Sequence, residues 1–297
     1  MRLSELGEFG LLAELERRDL AQDIADDAAV LDGGVVVTQD LLLEGVHFRL
    51  DWTSWRDLGY KAAAVNLSDL AAMGATPERL LVALVLPPDT PLADVVELYE
   101  GLNEPALPIV GGDTSAGERV MVAVTAMGRS ERVPGRDGAV PGDVLVVTGA
   151  LGGSAEGLHA LRHGLDGHDA LVRTHLRPPY RVGAGELLAP SAHALIDLSD
   201  GIASDAARIA ERSGCRLVVE VDRLPLAAGV EELGDGEPFW TLGEDYELLA
   251  ALPPGDPLAG TFHVVGRVEE GDGVVLLRCG EAIDLAGWDH FDAGSST

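Results

Sequence analysis

Six short acidic motifs punctuate the sequence: Asp26-Asp27, Thr38-Gln39-Asp40, Asn66-Leu67-Ser68-Asp69, Gly111-Gly112-Asp113-Thr114, Asp197-Leu198-Ser199-Asp200-Gly201 and Gly243-Glu244-Asp245-Tyr246. Each lies among small or apolar residues and is expected at a strand end or a turn. Taken singly, such an aspartate has a structural explanation, because Asp caps helices and fills turns. Taken together, carboxylates that follow hydrophobic strands can converge at one edge, where their repulsion calls for a cation. Hard oxygen ligands of this kind suit Mg²⁺. Metal ions bridging carboxylate and phosphate oxygens would then let a polyanion such as ATP approach an acidic site.

Other routes to phosphate are narrower. Lys61 is the only lysine and lies in Gly59-Tyr60-Lys61-Ala62-Ala63, not in GxxxxGK[ST], which excludes a Walker loop. The strand lysine, HRD and DFG of protein kinases are missing too. Gly111-Gly112 lets backbone amides approach an anion, and Ser199-Asp200-Gly201 stands at a predicted helix start with positive dipole character. Asp200 fits either a ligand or an N-cap. The run Gly149 to Gly153 does not fit GxGxxG and reads as tight strand-to-helix packing.

At 297 residues, 46% hydrophobic, the chain has room for two domains with separate cores. Fifty acidic residues against 21 basic give a formal charge of -29, which argues against nucleic-acid binding. No apolar run approaches the roughly 20 residues of a membrane helix. An acidic residue, Glu5, stands where a secretory signal carries its apolar core, so a cytoplasmic protein is expected. Cys215 and Cys279 have no metal-site spacing and read as reduced thiols.

Periodicity predicts strands at Gly34 to Thr38, Leu80 to Leu86, Pro108 to Val110 and Arg119 to Met127, with helices at Trp55 to Met73 and Pro91 to Leu102. The Gly- and Pro-rich segment Ser130 to Pro141 marks a boundary between domains 1–135 and 136–297. Beyond it, strands are expected at Asp143 to Thr148, Ala194 to Leu198, Tyr246 to Ala251, Phe262 to Val268 and Val274 to Arg278. Helices are expected up to His163, from Asp200, and at Pro179 to Leu188 and Leu226 to Leu233. Both halves are mixed α/β.

The motifs in their order resemble the thiamine-monophosphate kinase family across essentially the whole chain. The resemblance is carried by Gly7-Glu8-Phe9, Asp26-Asp27-Ala28-Ala29-Val30, Glu44-Gly45-Val46-His47-Phe48 and Ala64-Val65-Asn66-Leu67-Ser68-Asp69-Leu70-Ala71-Ala72-Met73-Gly74-Ala75. It continues through Gly111-Gly112-Asp113-Thr114, Ile196-Asp197-Leu198-Ser199-Asp200-Gly201, Gly243-Glu244-Asp245-Tyr246-Glu247-Leu248 and Gly287-Trp288-Asp289-His290-Phe291. It implies two mixed α/β domains of the aminoimidazole-ribonucleotide-synthetase-like type, the N-terminal one pairing with its copy in a homodimer, with the active site in the cleft between domains. Selenophosphate synthetase and a hydrogenase-maturation dehydratase share that superfamily. Both rely on a terminal cysteine that this sequence lacks.

Carried over by motif, the resemblance puts metal ligands at Asp27, Thr38, Gln39, Asp40, Asp69, Asp113, Asp197 and Asp200, with Asp40, Asp69 and Asp113 central to catalysis. It puts ATP contacts at Gly112, Arg136 and Ser199, and thiamine monophosphate contacts at His47, Glu244 and Trp288. Trp288 offers a π face to a thiazolium cation, and Glu244 a carboxylate to the same ring system or its amino group. Structural readings stand beside these: Trp288 as a plug at a core edge, His47 as a satisfied structural histidine. Ala25, Gln39 and Leu242 depart from the family pattern, and Gln39 bears directly on one metal position.

The reaction implied is in-line transfer of the ATP γ-phosphoryl group to thiamine monophosphate, aided by Mg²⁺. Two other readings remain at this level: a related ATP-dependent synthetase, and a catalytically silent acidic protein that binds nucleotide or divalent cations.

Overall fold

In the computed structural model, residues 3–22, 26–230 and 243–283 are described. The chain opens with α1 (Leu3–Arg17), β1 (Ala29–Leu31), β2 (Val35–Leu43) and α2 (Trp55–Ala72). It continues through β3 (Thr76–Leu86), α3 (Leu92–Leu102), β4 (Ile109–Ala116) and β5 (Met121–Arg129). These strands form one sheet in the order β1-β2-β5-β3-β4, antiparallel except for the β3–β4 pair.

Strand alternation decides which face meets the helices. In β5, Val122, Val124 and Ala126 are fully buried while their neighbours are partly exposed. In β2, Val36, Thr38 and Leu42 turn inward and Gln39 and Leu41 outward. The inward face packs on α2, whose Leu58, Leu67 and Leu70 are buried in the same core. Each such leucine contributes about 1.5–3 kcal/mol of burial.

The second half supplies β6 (Val144–Val147), α4 (Gly153–His163), α5 (Asp169–Leu176), α6 (Val182–Leu188), β7 (Ala194–Asp197) and α7 (Ile202–Ser213). Then follow β8 (Arg216–Glu220), β9 (Leu248–Leu252), β10 (His263–Glu269), β11 (Gly273–Arg278) and β12 (Glu281–Ile283). Their sheet runs β12-β11-β8-β10-β6-β9-β7. Ser54 caps α2, its Oγ accepting the Asp57 N–H at 3.1 Å. The far end of α2 packs against the second sheet, because Ala71 and Ala72 share a core with Val146, Leu195, Leu248 and Ala250. A helix buried on nearly every side thus ties the two halves together, and any polar group on it faces a cleft or needs a partner.

Two expectations need correction. Residues Leu226 to Val230 form a bridge and a turn instead of a helix: Leu226 pairs with Leu151. The rest of that expected helix, 231–233, lies outside the described residues. The acidic motifs are also not all at strand ends or turns. Thr38 and Asp40 lie within β2, Asp113 within β4, and Asp69 within α2. Tertiary packing overrides the local turn preference of Asp at these positions.

Candidate active site

A cavity of ≈ 1140 Å³ opens between the two sheets and draws its lining from both halves of the chain. At one end β2, α2, β7 and the segment before β1 meet, and they deliver Asp40, Asp69, Asp197 and Asp27 respectively. Oxygens of Asp27, Asp69 and Asp197 lie within 4.8 Å of one another. Thr38 Oγ1 donates to Asp69 Oδ2 at 2.5 Å, and Ser68 Oγ donates to Asp197 Oδ2 at 2.7 Å. Asn66 fixes the strand beside them, its Oδ1 accepting the Asp40 N–H at 3.0 Å.

This crowding is visible in the acidities. Burial, then the neighbouring Asp200 and Asp27, push Asp40 up to about 6. Burial and the surrounding aspartates likewise hold Asp69 and Asp197 well above the usual carboxylate range, although Thr38 and Ser68 pull the other way. Arg136 answers part of this charge through an ion pair with Asp27, and its backbone N–H donates to Asp26 Oδ1 at 3.0 Å. Converging hard-oxygen donors with an excess of negative charge fit a divalent cation such as Mg²⁺.

Next to this cluster, the turn from β7 to α7 places Ser199 and Asp200 on the cavity wall. Gly201, not Asp200, takes the N-cap position of α7. The Asp200 carboxylate is instead paired with Arg208. Asp205 lies beneath, fully buried, with Oδ2 accepting the Asp200 N–H at 3.1 Å. Among the described residues its Oδ1 has no hydrogen-bond partner.

At the other end of the cavity stands Glu244, in a strained segment. Glu244 has φ 64° and Tyr246 φ 51°, left-handed values that cost a non-glycine residue about 1–2 kcal/mol each. The segment is pinned to the β7 turn, where Glu244 N–H donates to Ser199 O at 2.7 Å and Tyr246 N–H to Leu198 O at 2.9 Å. Gly243 makes this contact possible: a Cβ there would stand 1.8 Å from Ser199 O. The Glu244 carboxylate meets Lys61 Nζ at 3.0 Å and His175 Nδ1 at 3.2 Å. Burial would raise this carboxyl, but Lys61, His175 and His47 together hold it below its ordinary value. His47 lines the same cavity, its Nδ1 accepting the Leu43 N–H at 3.0 Å.

The chain therefore brings Asp27, Thr38, Asp40, Asp69, Arg136, Asp197, Ser199, Asp200, His47 and Glu244 to one cavity. Three expected residues behave differently. Gln39 also borders the cavity, but strand alternation turns its side chain away from Thr38 and Asp40, and its Oε1 accepts from Thr125 Oγ1 at 3.2 Å. Gly112 and Asp113 are exposed on the edge strand β4 and do not line the cavity. Gly112 has no room for a side chain, since a Cβ would lie 1.7 Å from Val82 O. Trp288, Ala25 and Leu242 lie outside the described residues.

Lys61, His175 and Asp205 were not anticipated as site residues. For Asp205 a signal existed: it interrupts the apolar stripe Ile202, Ala206, Ile209 of α7, and a charge on such a stripe needs a reason.

The fold and the cavity define a class. Residues 25–130 match the N-terminal domain, and residues 140–278 the C-terminal domain, of AIR synthase related protein. Thiamine-monophosphate kinase of Aquifex aeolicus is 36% identical, covering 98% of this chain and 100% of the relative. That of Mycobacterium tuberculosis H37Rv is 38% identical, over 97% and 93% respectively. The solved structure of AaThiL complexed with AMPPCP and TMP superposes with TM-score 0.89 at 35% identity, covering 98% of this chain and 99% of that one. The chain belongs to the thiamine-monophosphate kinase family. No helix among the described residues is long and apolar enough to cross a membrane.

Proposed function

We propose that this protein phosphorylates thiamine monophosphate to thiamine diphosphate with ATP as donor, as a Mg²⁺-dependent homodimer in the cytoplasm. The observation that carries the reading is the pairing, within one cavity, of a carboxylate cluster only partly compensated by Arg136 and a separate polar pocket at His47 and Glu244. The AaThiL complex with AMPPCP, an ATP analogue, and TMP supports the same pair of ligands.

Asp27, Thr38, Asp40, Asp69, Asp197 and Asp200 would hold Mg²⁺, which would supply charge screening between the two polyanions. Arg136 and Ser199 face the nucleotide phosphates. Glu244 and His47, with Trp288, orient the acceptor. Its terminal phosphate has a second pKa of about 6 and is already anionic near neutrality, so no general base is required. The residues' task is alignment of acceptor and donor for in-line transfer.

Asp113 and Gly112 enter this scheme from a second copy. Three strand spacings separate β4 from β2, about 14 Å across the sheet, too far for Asp113 to join the cluster of its own chain. The sheet leaves Val30, Leu31, Leu41 and Val110 exposed, apolar side chains that a twofold partner would cover. The division into domains 1–135 and 136–297 is supported by the separation of the two sheets.

Incubation with ATP, Mg²⁺ and thiamine monophosphate, followed by chromatography, is expected to yield thiamine diphosphate and ADP in equal amounts. ATP binding with no product would overturn the reading.

A further inference from the structure

The single lysine of the chain lies on α2, and its partner Glu244 comes 183 positions later. Lys61 is 1% exposed, and its Nζ straddles the carboxylate, 3.0 Å from one oxygen and 3.1 Å from the other. We infer that Lys61 is a positioning residue for substrate recognition: it fixes Glu244 and cancels its charge, so that Glu244 accepts an N–H from an amino-substituted ring and does not neutralise a cationic one. The inference rests on the proposal that Glu244 faces thiamine monophosphate, a molecule carrying both an aminopyrimidine and a thiazolium.

The geometry favours this division of labour. Gly243 to Tyr246 is strained and held by backbone contacts to Leu198 and Ser199, which set the main chain but leave the Glu244 side chain free to rotate. Lys61 and His175 remove that freedom. Of the two, Lys61 carries the compensating charge, because burial and the nearby Lys61 push His175 down to about 3 and leave it neutral near pH 7. Its Nδ1 also lies 3.0 Å from Ser154 Oγ. A carboxylate has about four acceptor positions, and Lys61 contacts both oxygens while His175 Nδ1 lies 3.2 Å from one of them. Acceptor capacity therefore remains, on a side chain still 28% exposed. An N–H donor can take it without adding charge. A thiazolium placed there would put a second cation beside a carboxylate that Lys61 already satisfies, in a desolvated pocket where unbalanced charge is costly.

Two measurements decide the matter. In the wild-type protein, a thiamine monophosphate analogue with hydrogen in place of the amino group is expected to bind about tenfold or more weaker than the parent, the loss typical of an unpaired buried acceptor. Equal binding would overturn the inference. Lys61→Met removes the charge while keeping the stem. Its KM for thiamine monophosphate is expected to rise about tenfold, with the KM for ATP within about twofold of wild type. Adding Glu244→Gln, which keeps a carbonyl acceptor and removes the stranded charge, is expected to recover most of that loss. An unchanged or lower KM for thiamine monophosphate in Lys61→Met would mean that freed Glu244 attracts the cation, and the inference fails. Equal rises in both KM values, or no recovery in the double variant, would reduce Lys61 to a structural tie between the halves. If Lys61→Met does not fold, the analogue measurement stands by itself. Absence of thiamine diphosphate with the wild-type enzyme would instead remove the proposed activity, before any variant is compared.

Discussion

Two groups of desolvated carboxylates share one cavity, and their environments move them in opposite directions. Asp40, Asp69 and Asp197 are held above their ordinary acidity by burial and by one another. Glu244, half-buried, is held below it, because Lys61, His175 and His47 outweigh the desolvation. A carboxylate raised by like charges is an unmet demand for a cation. A carboxylate already matched by an ammonium is a directional acceptor. The same residue chemistry thus yields two environments at opposite ends of one cavity, one suited to a metal ion and one to an uncharged donor, joined where the Glu244 segment is hydrogen-bonded to the turn between β7 and α7.

The comparison breaks most sharply at Asp113, an exposed carboxylate that belongs to neither group within its own chain. If it completes the metal cluster of a second copy, Asp113→Ala is expected to lower kcat by about a thousandfold while the melting temperature stays within about 1 °C, since nothing buried is lost. Mixing Asp113→Ala chains with Asp69→Asn chains then restores one intact site per heterodimer. With random pairing, activity is expected to return to about a quarter of wild type. No recovery on mixing would place Asp113 outside the partner's site.

Gly243→Ala tests the Glu244 side of the comparison. The added Cβ would stand 1.8 Å from Ser199 O and 2.7 Å from Asp200 Cα, so the backbone has to move. We expect a loss of about 3 kcal/mol in denaturant unfolding, in the range of overpacked positions, and a weakened KM for thiamine monophosphate. An unchanged KM would show that Glu244 tolerates displacement and does not fix the acceptor.

The opposite shifts also give a dependence on pH. For a group raised in the folded state, the stabilising contribution is full below the unfolded value and is lost as pH climbs through the folded one. For Asp40 that window runs from 3.8 to about 6, and Asp69 and Asp197 extend it upward. The metal-free protein is therefore expected to lose on the order of 2 kcal/mol between pH 5 and pH 7.5. Mg²⁺ is expected to cancel most of that loss, and Asp69→Asn to flatten it. A metal-free protein equally stable at both values would contradict the mutual repulsion on which the cluster reading depends.

Much of this arrangement was legible in the sequence, and the exceptions have physical causes. Apolar runs and alternation located most strands and α2, because burial on a sheet face leaves a period of two and burial on a helix leaves no polar stripe at all. The convergence of Asp27, Asp69 and Asp197 could be anticipated from recurring acid-bearing motifs. Lys61 could not, since a lone lysine in an alanine-rich helix carries no mark of a partner 183 positions away. Its position outside GxxxxGK[ST] excludes a Walker loop and says nothing of its own role. His175 is hidden for the same reason, buried on α5 beside Leu171 and reading as a core residue. The apparent helix beginning at Leu226 was misread because Leu226 pairs with Leu151 across the chain, a contact with no local signature.

Gln39 gives the smallest expected effect and a fine control on the metal cluster. It sits between Thr38 and Asp40, yet strand alternation turns its side chain to the outer face of β2, against Thr125. Gln39→Ala removes one exposed hydrogen bond, so stability is expected to fall by less than about 0.5 kcal/mol. The Mg²⁺-induced rise in melting temperature is expected to match that of wild type, since the carbonyl of this side chain points away from Asp27, Asp69 and Asp197. A clearly smaller Mg²⁺ effect in Gln39→Ala would mean that the side chain swings inward when the cation binds, and that a neutral amide shares the carboxylates' task.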